Sequence, residues 1–146
     1  MANQREIFTP KCQAILYEPH LVINKVLDGH TLDANDILEL KQANISLTEG
    51  KLYAILVLFG AMTEVTQDAR ELIASKEFQQ NTIAKALLVN NIGHRLLGNF
   101  YLSVNRPHIK TRLFTEQETA LSWLRSELQK NLDQGQSSKE HNQVNF

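Results

Sequence analysis

The stretch Ala84–Leu124, AKALLVNNIGHRLLGNFYLSVNRPHIKTRLFTEQETALSWL, decides the fold class. Ala84–Val89 reads as an apolar strand. Asn90 or Asn91 then caps a helix, since a short amide side chain accepts from the free amides of a first turn. Within that helix Ile92, Leu96, Leu97, Phe100 and Val104 recur at helical spacing and predict its buried stripe. Gly98 costs about 1 kcal/mol there relative to alanine, which suits a close helix contact. Pro107 ends the region, and Thr111–Phe114 is short enough for a last strand. Thr115 and Glu118 form a Thr-x-x-Glu capping box. Ala120, Leu121, Leu124 and Leu128 then make the buried stripe of a final helix, with Trp123 at its edge.

Working outward, Tyr53–Phe59 (YAILVLF) is apolar at every position. Without alternation both faces must be covered, so it predicts an interior strand with helices packed on the sheet. Cys12–Leu27 predicts two short strands joined at Glu18-Pro19-His20, an opening β-hairpin. Asp28-Gly29 marks a turn, and Asp33 caps a helix running to about Leu47 with Ile37, Leu40, Asn44 and Ile45 on one side. Thr66 caps the next helix, in which Ala69, Leu72 and Ile73 repeat at helical spacing. The order is β-β-α-β-α-β-α-β-α. It predicts an α/β fold with a mixed, largely parallel central sheet of four or five strands and right-handed crossovers. The expected organisation is an N-terminal arm (residues 1–11), a single domain (12–130) and a polar, disordered tail (131–146).

Composition narrows the function. The chain has 146 residues, 42% of them apolar and 21% charged, which is the make-up of a globular domain. A net charge of −1 offers no basic surface for nucleic acid. The one cysteine, Cys12, excludes an internal disulfide and points to a reducing, cytoplasmic setting. MANQREIFTP lacks the apolar core of a signal peptide, and no apolar run reaches the roughly 18 residues of a membrane span. His20, His30, His94, His108 and His141 lack ligand spacing, so no metal or other cofactor is expected. Asp33 with Asp36, and Glu116 with Glu118, sit at helix starts, where acidic residues serve the helix dipole. No catalytic residue set can be assembled, and a non-enzymatic role is expected.

The strand Tyr53–Phe59, the helix start Val65-Thr66-Gln67-Asp68-Ala69-Arg70, Asn105-Arg106-Pro107, Leu113-Phe114 and Ala120-Leu121-Ser122-Trp123-Leu124 together resemble the bacterial SpoIIAA-like (STAS/SEC14-related) small domains, including members from Bacteroidetes-type bacteria. The similarity spans roughly Gln13 to Lys130 and contains no catalytic word. It implies a regulatory or protein-interaction module of the anti-anti-sigma type, in which a serine at a helix start is phosphorylated. The matching loop here, Gly60–Thr66, lacks the Asp-Ser-Ser-Gly word, leaving Thr63 and Thr66 as the candidate phosphosite or partner loop.

Asn91, His94 and Arg95 form a second candidate, for an anion or partner, at the carboxyl edge of the sheet where α/β proteins place ligands. An interaction module, with a protein partner or as a homodimer, predicts exposed apolar anchors among Met62, Tyr101 and Trp123. The alternative, a binder of a small apolar or lipid-like ligand, predicts a cavity beneath the Ile92–Val104 helix.

Overall fold

The computed structural model describes the backbone of residues 5–144 and the side chains of residues 5–134. Its strands are β1 (Glu6–Phe8), β2 (Cys12–Glu18), β3 (Leu21–Val26), β4 (Thr31–Leu32), β5 (Tyr53–Phe59), β6 (Glu64–Val65), β7 (Thr82–Leu88) and β8 (Lys110–Phe114). The helices are α1 (Ala34–Leu47), α2 (Gln67–Ala74), α3 (Ile92–Phe100), continued by a π-helical turn (Tyr101–Asn105), and α4 (Gln117–Val144).

The expected mixed α/β architecture is present. A six-stranded sheet runs β1-β2-β3-β5-β7-β8, with β4 and β6 paired separately. The opening hairpin pairs antiparallel, with Ile15 opposite Ile23, and from β3 onward every ladder is parallel. The sheet has more strands than expected because β1, in the supposed arm, pairs with β2 through Ile7 and Ala14. The last helix also runs further than expected, through Val144 instead of stopping near Asn131. That segment has no proline, and Gln129 Nε2 donates to Asp133 Oδ1 at 3.1 Å across one turn.

Caps explain most helix starts. Asp33 Oδ1 accepts from Asp36 N at 2.9 Å while Asp36 Oδ2 accepts from Asp33 N at 2.9 Å, a reciprocal box. Thr66 Oγ1 accepts from Ala69 N, and Asn91 Oδ1 from His94 N. The final helix differs: it begins at Gln117, with Glu116 O accepting from Ala120 N, one residue beyond the expected Thr115 cap.

The two faces of the sheet are built differently. On one, Leu21, Ile23, Ala54, Leu56, Ala84, Ala86 and Leu88 meet Ala120, Leu121 and Leu124 of α4. Three alanines under the helix let it sit close, and the contact is sealed completely. On the other face α1, α2 and α3 share the cover, above Asn24, Val26, Ile55, Val57, Phe59, Lys85 and Leu87. Three helices meeting over one face leave a gap between them that one close-packed helix does not.

Contrary to the sequence-based expectation, the stripe of α3 faces outward. Ile92, Leu96, Phe100 and Val104 are exposed, whereas His94, Gly98 and Tyr101 are buried. Gly98 sits at the contact: a Cβ there would stand 2.7 Å from Leu113 Cδ2, so α3 approaches β8 on that face more closely than a larger residue would allow without Leu113 moving. Tyr101 follows it inward one turn later.

Gly60 is the tightest point of the fold. A Cβ there would lie 2.5 Å from Val26 O and 2.8 Å from Asp28 N, both backbone atoms. This approach lets Asp28 Oδ1 accept from Ala61 N at 2.8 Å and Ala61 O accept from Gly29 N at 2.8 Å, tying the ends of β3 and β5 together. Gly60→Ala should therefore cost at least about 2 kcal/mol, read as a shifted urea midpoint with unchanged slope; a midpoint equal to wild type would refute the close approach.

Candidate functional site

The gap under the three helices is a cavity of about 90 Å³. Its walls are aliphatic and aromatic: Leu40 from α1, Ile73 from α2, Leu97 and Tyr101 from α3 and its π turn, and Val57 and Phe59 from β5. Three cations also line it, Lys41, Arg70 and Lys85, and no Asp or Glu does.

Each cation is held differently. Lys41, buried on α1, donates to Tyr53 Oη at 2.9 Å, Gln80 O at 2.9 Å and Thr82 Oγ1 at 3.2 Å. Those acceptors use its donors without neutralising it, and burial pushes its amine down to about 8. Arg70 on α2 donates through Nη1 to Val65 O and stacks on Phe100 at 5.0 Å, while its buried Nε has no partner. Lys85 stands mid-strand in β7, opposite Ile55 of β5, and is 6% exposed. No acceptor or counter-ion reaches its ammonium among the described residues; the Tyr101 ring lies 5.8 Å away. Burial, with the charge of Lys41 adding to it, pushes this amine down to about 7. The Tyr101 hydroxyl is buried beside the Gln79 side chain, and burial pushes its ionisation up. Asn24 and Asn44 complete the lining as a closed pair, each amide donating to the other's oxygen at 2.8 and 2.9 Å.

The residues singled out from sequence lie outside this cavity and do not converge. Thr63 Oγ1 donates to Gly60 O at 2.8 Å, and Thr66 Oγ1 is the α2 cap. Asn91 caps α3. His94 is buried instead of solvated: its Nε2 lies 3.2 Å from Gly60 O, its ring 5.4 Å from Phe59, and its Nδ1 has no partner. Only Arg95 of that trio meets an open groove, beside Arg112, Phe114 and Thr119. Of the expected apolar anchors Met62 is 86% exposed, Tyr101 is buried, and Trp123 packs on Phe114 at 5.6 Å under Arg112. Cys12 is a buried thiol pushed up to about 11 by desolvation, which suits a core residue and not a nucleophile.

Sequence reading passed over Lys41 and Lys85. A signal for Lys85 existed: it is the one charge in Ala84–Val89, a segment otherwise fit for burial on both faces. Among the described residues no three His, Cys, Asp or Glu side chains gather to hold a metal ion. No helix there is long and apolar enough to cross a membrane.

The buried amines set a pH dependence. Lys85 titrates at about 7 in the fold against 10.5 when exposed, so between those values the unfolded chain binds more protons. Stability must then rise with pH across that window, by up to about 1.4 kcal/mol per unit for this one group, and fall away as pH drops toward 7. Lys41 acts in the same direction from about 8 upward; Arg70 and Tyr101 are the other ionisable groups on the cavity wall, and Tyr53 meets Lys41 from outside it. Lys85→Met should raise stability by about 1–4 kcal/mol at pH 6 and by clearly less at pH 9, followed by urea denaturation. A variant equally destabilised at both pH values would contradict the burial of an uncompensated charge.

No curated protein and no solved structure matches the chain. A family model described as Domain of unknown function (DUF7793) matches residues 13–128, and the chain belongs to that family.

Proposed function

We propose that the protein is a cytoplasmic, non-enzymatic regulatory module of the SpoIIAA-like kind, working by protein interaction through the outer face of α3. One observation carries this reading. Ile92, Leu96, Phe100 and Val104 are 78, 65, 45 and 58% exposed and form a single line four residues apart. At those exposures they present roughly 500 Å² of apolar surface, the size of patch that marks an interaction site. Met62, 86% exposed, lies two residues beyond Gly60, whose carbonyl meets His94 of the same helix.

The occupant that fits is a second copy of the chain. Steps of four read the same from either end, so an antiparallel copy related by a two-fold axis sets Ile92 against Val104 and Leu96 against Phe100. The patch covers more than half of the about 800 Å² that each partner buries in a standard interface. Phosphorylation is not needed for this reading, since the hydroxyls of Thr63 and Thr66 both serve the local backbone. A second reading, binding of a small apolar ligand, is favoured by the cavity beneath α3.

Sedimentation analysis across about 1–200 µM protein should show a reversible dimer. Leu96→Glu and Phe100→Glu should each weaken it at least hundredfold, a loss of about 3 kcal/mol, with an unchanged circular dichroism spectrum. A wild-type chain that is strictly monomeric over that range would overturn self-association through α3.

A further inference from the structure

We infer that the cavity beneath α1, α2 and α3 is a binding site for a small organic monocarboxylate, its carboxylate held by Lys85 and Tyr101 and its apolar body lying among Leu40, Val57, Ile73 and Leu97. This deepens the ligand-binding reading given above and rests on it.

The charge of the ligand follows from counting commitments among the cations. Lys41 already donates to three oxygens, and Arg70 spends Nη1 on Val65 O and its face on Phe100. Lys85 alone has no oxygen within reach, and it is buried beside Tyr101, whose hydroxyl is buried next to the Gln79 side chain. An ammonium and a phenol hydroxyl are both donors, and together they suit the two oxygens of one carboxylate. Of the three cations Lys85 alone makes no hydrogen bond, so one carboxylate is placed on it. The lack of any Asp or Glu in the lining means that the protein supplies no anion of its own.

The body of the ligand follows from the rest of the wall. Apart from the cations, the Tyr101 hydroxyl and the closed Asn24–Asn44 pair, the lining side chains offer only carbon surface and no further polar specificity. A cavity of about 90 Å³ holds a few heavy atoms, which fits a short-chain acid and is too small for a full-length lipid tail. Burying an amine this way weakens the empty fold, and a bound anion relieves that cost. A lysine at the centre of a mostly apolar sheet face is thereby given a role.

Isothermal titration calorimetry at pH 6.5 with butyrate and hexanoate, each against its own primary amide, tests the inference. The acids should bind at least tenfold more tightly than the amides. Lys85→Met should remove that preference in a protein that still folds, and Tyr101→Phe should weaken the acids severalfold. Equal affinity of acid and amide overturns the carboxylate assignment but leaves a ligand cavity standing. Binding of neither up to about 10 mM overturns both. Acid preference that persists in folded Lys85→Met overturns the role of Lys85.

Discussion

Strand β7 must be buried on both faces, yet carries a lysine in its middle. The rest of the structure arranges itself around that constraint. Ala84, Ala86 and Leu88 point to one side, where α4 seals them completely. Lys85 and Leu87 point to the other, where a single close-packed helix would leave the ammonium in a dry, unpaired site costing several kcal/mol. Three helices cover that face instead, and their junction leaves room around the amine. The asymmetry of the sheet, close-packed below and hollow above, follows from one alternation in one strand.

The same constraint positions the neighbours. Tyr101 is brought over Lys85 because Gly98 lets α3 settle onto Leu113, and the helix then turns its remaining apolar residues outward. The exposed line on α3 and the cavity beneath it are thus two consequences of one packing choice. In our reading they act together: a ligand held from below would stabilise the helix whose upper face meets a partner. Gly60 fixes the other boundary, bringing the end of β5 against Asp28 and placing the Gly60 carbonyl under His94.

Much of the fold was legible in the chain. Tyr53–Phe59 read as a doubly covered strand because no position in it tolerates water, and Asp33, Thr66 and Asn91 announced helix starts through side chains that now accept the expected amides. Proline at position 19 marked the hairpin turn. The orientation of α3 was not legible, since apolar residues lie on more than one side of it and the inward face carries Gly98, a residue with no side chain to count. β1 was missed because a strand of three residues carries too little periodicity to stand out. The site was the least legible part. Lys41 and Lys85 lie far apart in sequence: Lys85 is the one charge in its strand, Lys41 stands beside Glu39 and Gln42 in an ordinary amphipathic helix, and only the fold brings both to one cavity. The threonines and the Asn91–Arg95 turn drew attention because helix starts are where chemistry is often found, whereas here they mainly close hydrogen bonds of the backbone.

The central claim is that Lys85 is a buried, uncompensated amine at the floor of a cavity. Carbon-detected NMR titration of the lysine side chains in the ligand-free protein tests it most directly. The account predicts one lysine, assigned by its loss in Lys85→Met, titrating near 7 while the exposed lysines titrate near 10.5. A Lys85 that titrates with the exposed lysines would show its charge to be hydrated or paired, and would contradict the account.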